Sequence, residues 1–420
     1  VTAYDLAVIG LGYVGMPLAK EATAAGLRVV GLDLDPDKVE ALNAGRSYID
    51  DLTDADLEHM LAAGFTATLD ETVLSDSAAV VICVPTPLDE DHRPDLSSVE
   101  GATGTVARNL SAGTLVVLES TTWPGTTDEV ARPILETSGL TAGTDFHLAF
   151  SPERIDPGNP KYGLRNTPKV VGGYTPACKD RAVAFYARFV EQVVPVSGTR
   201  EAEMAKLLEN TYRHVNIALV NEMAIFCDEL GVDLWESIEA AATKPFGFQK
   251  FLPGPGVGGH CIPVDPSYLS YTVRKLGYPF RFVELAQEIN ERMPSYVVAR
   301  VQRLLNRHRK PVNGSRVALL GVTYKPDIAD ERETPALPVA RALLELGAEL
   351  VFVDPYVKEW RVDDVQVTRE EDLARAVAEA DVTLLLQQHA AFDLSVVEDQ
   401  GKLVLDTRGV LAEGARVERL

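Results

Sequence analysis

The residues with most to offer chemically lie in Pro253-Gly254-Pro255-Gly256-Val257-Gly258-Gly259-His260-Cys261-Ile262-Pro263-Val264-Asp265-Pro266. Four glycines and four prolines in fourteen residues disfavour a regular helix or central strand, because proline lacks an N–H and glycine loses the most entropy on ordering. A bent loop is expected, with a backbone that can approach a ligand. It carries one thiol, Cys261, four residues before Asp265. Two readings are open. A thiol in a glycine-rich loop can be a nucleophile, and a free cysteine can also be buried and purely structural. The other cysteines, Cys83, Cys178 and Cys227, are widely spaced with no CxxC. That fits a reducing compartment and offers no structural zinc site. His260 and Cys261 have no further ligands nearby at metal spacing, so no metal is expected.

A second signature opens the chain. The apolar run 5–9 leads into Gly10-Leu11-Gly12-Tyr13-Val14-Gly15, a helix-compatible stretch follows, and a second apolar run, 28–32, ends at Asp33. This GxGxxG has a strand before it, a helix after it, and an acid 18 residues past its last glycine. The glycines permit a tight turn and let a pyrophosphate approach the helix N-terminus, whose N–H groups and dipole favour anions. Asp33 can bind both hydroxyls of an adenosine ribose and would repel a 2′-phosphate. NAD is therefore expected rather than NADP.

The elements that must position these groups are also legible. Apolar runs 78–84, 114–118 and 146–150 end in Pro85-Thr86-Pro87, Glu119-Ser120-Thr121-Thr122 and Ser151-Pro152-Glu153-Arg154. Ligands of doubly wound sheets bind beyond the carboxyl ends of strands, which makes Thr86, Thr121 and Glu153 candidates. Thr, Ser and Pro are also ordinary turn residues. From Glu201 to Leu230 there is no proline or glycine, so one helix of about thirty residues is expected, buried on several sides or paired with a second copy. Lys206 and Asn210, four apart, share a face of it. Helices are expected over 232–242, 268–276 and 282–307. A second α/β region then runs from residue 316, with strands 316–320, 349–353, 381–386 and 402–406 and helices 336–346 and 370–379. Its first strand leads into Gly321-Val322-Thr323-Tyr324-Lys325-Pro326-Asp327, which is not a GxGxxG. The expected fold class is α/β, two open parallel sheets separated by a helical middle.

The chain has 420 residues, more than one core usually supports. Its net charge of −22 disfavours nucleic acid and anionic membranes as partners. An anionic substrate must be held by local Lys and Arg. No apolar run reaches the roughly 18 residues of a membrane span, and no basic, cleavable leader is visible. A cytoplasmic location without a membrane partner is expected.

NAD and a loop thiol together suggest a reaction. Hydride transfer from an alcohol gives an aldehyde, which a thiolate traps as a thiohemiacetal. A second hydride transfer gives a thioester, and water releases an acid. The thiolate needs a nearby cation or N–H groups. The alkoxide needs a donor such as Lys206 or Asn210, and hydrolysis needs a base such as Glu153 or Asp265.

With these motifs in this order, the whole chain resembles the UDP-glucose/GDP-mannose dehydrogenase family of nucleotide-sugar 6-dehydrogenases. The matching motifs are Gly10 to Gly15, Asp33 with Lys38, Ser120-Thr121, Ser151-Pro152-Glu153-Arg154, Lys206 with Asn210, and Gly258 to Asp265. Lys325 and Arg332 match in Tyr324-Lys325-Pro326-Asp327 and Glu331-Arg332-Glu333-Thr334. The resemblance implies an N-terminal NAD-binding Rossmann domain (1–198), a central long-helix dimerisation domain (199–310) holding the loop 253–266, and a C-terminal Rossmann-like UDP-sugar domain (311–420). It implies oxidation of the C6 hydroxymethyl of a UDP-hexose to a carboxylate, with two NAD reduced. Cys261 would be nucleophile, Lys206 and Asn210 oxyanion donors, and Asp265 and Glu153, with Thr121, helpers in proton transfer and hydrolysis. Cofactor contacts would come from Gly10, Gly12, Tyr13, Val14, Gly15, Asp33, Lys38, Thr86, Thr121 and Arg332. Substrate contacts would come from Glu153, Arg154, Lys206, Asn210, Phe251, Gly258 and Lys325. A homodimer through the long helix is implied. Some members place an arginine shortly before the loop, and here Lys244-Pro245-Phe246-Gly247-Phe248 has none. The His before Cys261, the Pro-Gly-Pro-Gly run and the Asp-Pro-Gly-Asn segment resemble the branch that acts on UDP-N-acetylhexosamines. The rival readings are a two-electron dehydrogenase of the 6-phosphogluconate or hydroxyacid type, which needs no Cys261, and a non-catalytic NAD sensor.

Overall fold

The computed structural model describes every residue except Val1, Asp50, Asp51, Glu90, Asp91, His92, Pro157, Pro160 and His260, and Cys261 by its backbone alone. The chain divides into two compact units, residues 1–209 with 267–278, and residues 210–266 with 279–420.

The first unit is built on an eight-stranded sheet. Its strands are β1 (Leu6–Ile9), β2 (Val29–Leu32), β3 (Thr66–Thr68), β4 (Ala79–Ile82), β5 (Leu115–Leu118), β6 (His147–Phe150), β7 (Lys169–Gly173) and β8 (Val193–Pro195), in the order β3-β2-β1-β4-β5-β6-β7-β8. Runs such as Leu-Ala-Val-Ile and Ala-Val-Val-Ile are buried at every position, as strands covered on both faces require. Among the described strands of this sheet, only β6 and β7 pair antiparallel. The strand order reverses between β1 and β4, which is where doubly wound sheets bind ligands.

The second unit carries a seven-stranded sheet: β9 (Arg316–Leu320), β10 (Glu349–Val353), β11 (Trp360–Val362), β12 (Val365–Arg369), β13 (Val382–Leu385), β14 (Val404–Asp406) and β15 (Val417–Arg419). Its order is β11-β12-β10-β9-β13-β14-β15. Without the hairpin strand β11, this repeats the order of β1 to β6 in the first unit. The hairpin β11–β12, antiparallel, and the edge strand β15 escape the sequence reading because they are short and partly exposed.

The long helix spans Thr199–Leu230 and contributes residues to both units. The loop expectation for 253–266 needs a correction: a helix runs Cys261–Lys275, so only the part before it is loop. Pro263 falls in the first turn, where an N–H has no intrahelical partner, and Pro266 costs one interior bond. No helix among the described residues is long and apolar enough to cross a membrane.

Candidate active site

In the first unit the glycine fingerprint behaves as its spacing predicts. Gly10 takes φ +90°, and a Cβ there would meet the Cys83 carbonyl oxygen at 2.7 Å. A Cβ on Gly15 would lie 1.9 Å from the Gly10 carbonyl oxygen. Gly12 is the opposite case: no protein atom lies within 4 Å of an added Cβ, so the backbone before the helix Gly15–Ala24 opens onto space a pyrophosphate can fill. Tyr13 and Val14 form the half-buried turn into that helix.

Asp33, just past β2, accepts the Leu11 N–H at 2.8 Å on Oδ2 and the Asp35 N–H at 3.1 Å on Oδ1. It remains half-buried, with lone pairs to spare for ribose hydroxyls. Lys38 lies on the helix Pro36–Asn43, its Nζ 5.9 Å from the Tyr48 ring centroid. The Tyr48 hydroxyl donates to the Leu11 carbonyl. Burial, with Asp33 and Asp35 close by, pushes this phenol above its usual range. Thr86 follows β4, and its carbonyl accepts the Tyr268 hydroxyl at 2.7 Å.

Beyond β5, β6 and the start of β7 sits a buried charge cluster. Lys169 Nζ is 2.9 Å from Glu119 Oε2 and 3.4 Å from Glu153 Oε2. Glu119 also accepts the Tyr186 hydroxyl. Burial raises the Glu119 carboxyl and the Tyr186 phenol. Burial pulls Lys169 down, but the two carboxylates outweigh it and hold the ammonium above its ordinary range. Glu153 Oε1 accepts from the N–H of Arg154, at 2.7 Å, and of Ile155. Both of its carboxylate oxygens are thus engaged within the fold. Its backbone carbonyl accepts Lys206 Nζ. Lys206 is 8% exposed, not a surface lysine. Arg154 pairs with Glu209 at 2.7 Å and donates to the Pro168 carbonyl at 2.6 Å. Thr121 lies half-buried just past β5. Cys83 is buried, and burial drives its thiol well above the usual range, so it is unsuited to nucleophilic work.

In the second unit Asn210 and Asp265 are both buried, and Asn210 Nδ2 donates to Asp265 Oδ2. The loop is anchored where Gly254 N–H donates to Asn221 Oδ1 at 2.9 Å; Asn221 Nδ2 donates in turn to Asn290 Oδ1 at 2.9 Å. Its glycines are packing requirements. A Cβ on Gly258 would sit 2.6 Å from the Glu333 carbonyl oxygen and 2.6 Å from Tyr324 Cβ. Gly259, at φ +82°, donates its N–H to the Arg332 carbonyl at 3.2 Å. The loop therefore rests on the backbone of the 324–335 signature. Arg332 Nε donates to Asp330 Oδ1 at 2.8 Å. The Phe251 ring packs edge-on against Tyr212, centroids 5.7 Å apart. Cys261 is the first residue of its helix; its side chain and His260 lie outside the described residues.

Comparison with known proteins places most of the chain in one family. Three consecutive family models cover the chain: the NAD binding domain over residues 4–190, the central domain over 200–292 and the UDP binding domain over 318–413. The chain belongs to the UDP-glucose/GDP-mannose dehydrogenase family. As a member it is an oxidoreductase acting on CH–OH with NAD as cofactor. It is 36% identical over 420 residues to the UDP-N-acetyl-D-mannosamine dehydrogenase of Yersinia pestis, covering 96% of this chain and 98% of that one. It is also 36% identical over 354 residues to the UDP-N-acetyl-D-glucosamine 6-dehydrogenase of Pseudomonas aeruginosa, 84% and 83% covered. The solved structure of the UDP-D-ManNAc dehydrogenase from Pyrococcus horikoshii superposes with a TM-score of 0.89 at 33% identity, covering 99% of this chain and 98% of that one.

Lys169, Glu119, Tyr186 and Tyr48 are not among the candidate residues of the sequence, although Glu119 stands in a strand-end segment. Lys169 had a signal, a lone cation opening the apolar run Val170-Val171. Glu119 had one too, an acid directly after a fully apolar strand. Charges so placed must be paired when buried.

Proposed function

We propose that this dehydrogenase oxidises the C6 hydroxymethyl of a UDP-N-acetylhexosamine to the carboxylate, in two steps through Cys261. The observation that carries the reading is the pair of buried donors one turn apart on the long helix, Lys206 and Asn210, the second bonded to Asp265 near the start of the helix that follows the glycine loop. Bound NAD would supply the hydride acceptor for each of the two oxidations. Asp265 takes the hydroxyl proton in the first oxidation and passes it to solvent, while Lys206 and Asn210 donate to the oxygen that becomes an alkoxide and then a tetrahedral oxyanion. The Cys261 sulfur adds to the aldehyde carbon as a thiohemiacetal; loss of the second hydride leaves a thioester. Asp265 takes a proton from water as that water displaces the thiol, and the acid departs. A helix N-terminus favours a thiolate, and Cys261 is a first helical residue. Glu153, with its carboxylate oxygens engaged, serves by fixing the carbonyl that holds Lys206. Lys325 and Arg332 supply cations for the diphosphate and the cofactor. The names of the relatives favour an N-acetylated sugar over glucose.

The long helix supports a homodimer: Leu208, Tyr212, Leu219, Phe226 and Leu230 recur at helical spacing and are 64%, 45%, 53%, 44% and 70% exposed. Light scattering tests this, and a strict monomer contradicts it. For the chemistry, Cys261→Ser is expected to abolish uronate formation and leave NAD binding intact. UDP-glucose, UDP-N-acetylglucosamine and UDP-N-acetylmannosamine should be assayed side by side. Uronate production unchanged by the substitution rejects the reading.

A further inference from the structure

The second unit has its own glycine and acid at the corresponding strand ends, and it closes them off. Gly321 follows β9 at φ +76°, and the Val322 N–H donates to Asp354 Oδ2 at 2.8 Å. Asp354, just past β10, accepts the N–H groups of Tyr356 and Val357 on Oδ1 at 2.8 and 3.1 Å. Oδ2 also faces His389 Nε2 at 3.1 Å, and both side chains are fully buried. His389 lies past β13, the neighbour of β9 across the reversal of strand order.

The other imidazole nitrogen does the unusual work. Nδ1 accepts the Asp327 N–H at 3.0 Å, which assigns the proton to Nε2. Asp327 stands at φ +63°, a conformation that strains a non-glycine residue. Asp327 Oδ1 in turn accepts the Ala390 N–H at 2.7 Å. On the near side, Thr323 Oγ1 is 3.4 Å from His389 Nε2 and donates to the Lys325 carbonyl at 2.8 Å. Pro326 fixes one more backbone angle between the two ties. With both ring nitrogens committed and no exposure, the Asp–His pair is no proton relay to solvent.

We infer that His389, oriented by Asp354, is a positioning residue that fixes the backbone on both sides of Lys325 and so presents that lysine to the diphosphate of the sugar nucleotide. Holding the loop beforehand removes an ordering cost from binding. The inference rests on the reading of Lys325 as a substrate contact.

The test is a double-mutant cycle on the full-length protein, with UDP and NAD affinities measured by calorimetry. His389→Asn retains an acceptor for the Asp327 N–H and is expected to weaken UDP about threefold; His389→Phe, which retains none, about tenfold or more. NAD affinity should stay within twofold in both. In the His389→Phe/Lys325→Ala double variant UDP should bind no more weakly than in Lys325→Ala alone. Should His389→Phe fail to fold, Asp327→Gly, which suits φ +63° but drops the Ala390 tie, should weaken UDP several-fold with NAD unchanged. Additive losses in the cycle, or equal losses for UDP and NAD, overturn the positioning role alone. Lys325→Ala with normal UDP affinity rejects the substrate assignment of Lys325 and this inference with it.

Discussion

The two units solve the same topology in opposite ways. Each runs its first strand into a glycine of positive φ, and in each the next backbone N–H bonds at 2.8 Å to the aspartate beyond the second strand. In the first unit Asp33 is left half-buried with unused lone pairs. In the second, Asp354 is 1% exposed, and three backbone N–H groups and His389 surround it. Burial pulls the Asp354 carboxyl upward, but His389 and the N–H donors more than offset this and hold it below the usual carboxylate range. An acid at a strand end is thus left open to solvent in one unit and is a structural post in the other. Burial and partner count decide which, not position in the fold.

Removing the closed acid should have the largest effect. Asp354→Ala strands four donors in the interior and should cost about 3–5 kcal/mol of stability, read as a lower denaturant midpoint, with NAD affinity unchanged. Lys169→Met in the first unit leaves two buried carboxylates sharing no cation and should cost about 3 kcal/mol, with turnover falling because the Glu153 carbonyl no longer holds Lys206. Asp33→Ala should divide its effect the other way: NAD affinity falls about tenfold or more, while stability falls by only about 1–2 kcal/mol because two backbone N–H groups at a half-buried site lose their acceptor. If Asp33→Ala binds NAD normally, or Asp354→Ala is as stable as the parent, the contrast between the units fails.

A graded effect is expected as a pH slope in the second unit. Burial lowers His214 to about 4. The unfolded imidazole titrates near 6.5, so between these values the unfolded chain binds the extra proton. His214's contribution is full above about pH 6.5 and is lost as pH falls towards 4, about 2 kcal/mol between pH 7 and pH 5. Denaturant midpoints across that range should show it, and His214→Gln should flatten it.

Much of this was readable in the sequence. The fingerprint, Asp33, the long helix and the strand ends follow from period and glycine spacing, because those patterns report backbone geometry directly. The helix beginning at Cys261 was not readable, since Pro263 and Pro266 argue against it and only position in the first turn excuses Pro263. The Lys169 cluster and the His389 clasp were hidden for another reason. Their partners lie 50 and 16 residues away for Lys169 and 35 and 62 away for His389, and local pattern says nothing about which buried charges meet. Glu153 shows the same limit: its strand-end position marks it as a candidate, while both of its carboxylate oxygens are engaged within the fold.

The most direct test of the proposed chemistry is the number of NADH formed per UDP-N-acetylhexosamine consumed, followed to completion with the intact enzyme. Oxidation through Cys261 to the acid predicts two NADH and one uronate for each sugar nucleotide. One NADH with an aldehyde or ketone product would contradict it.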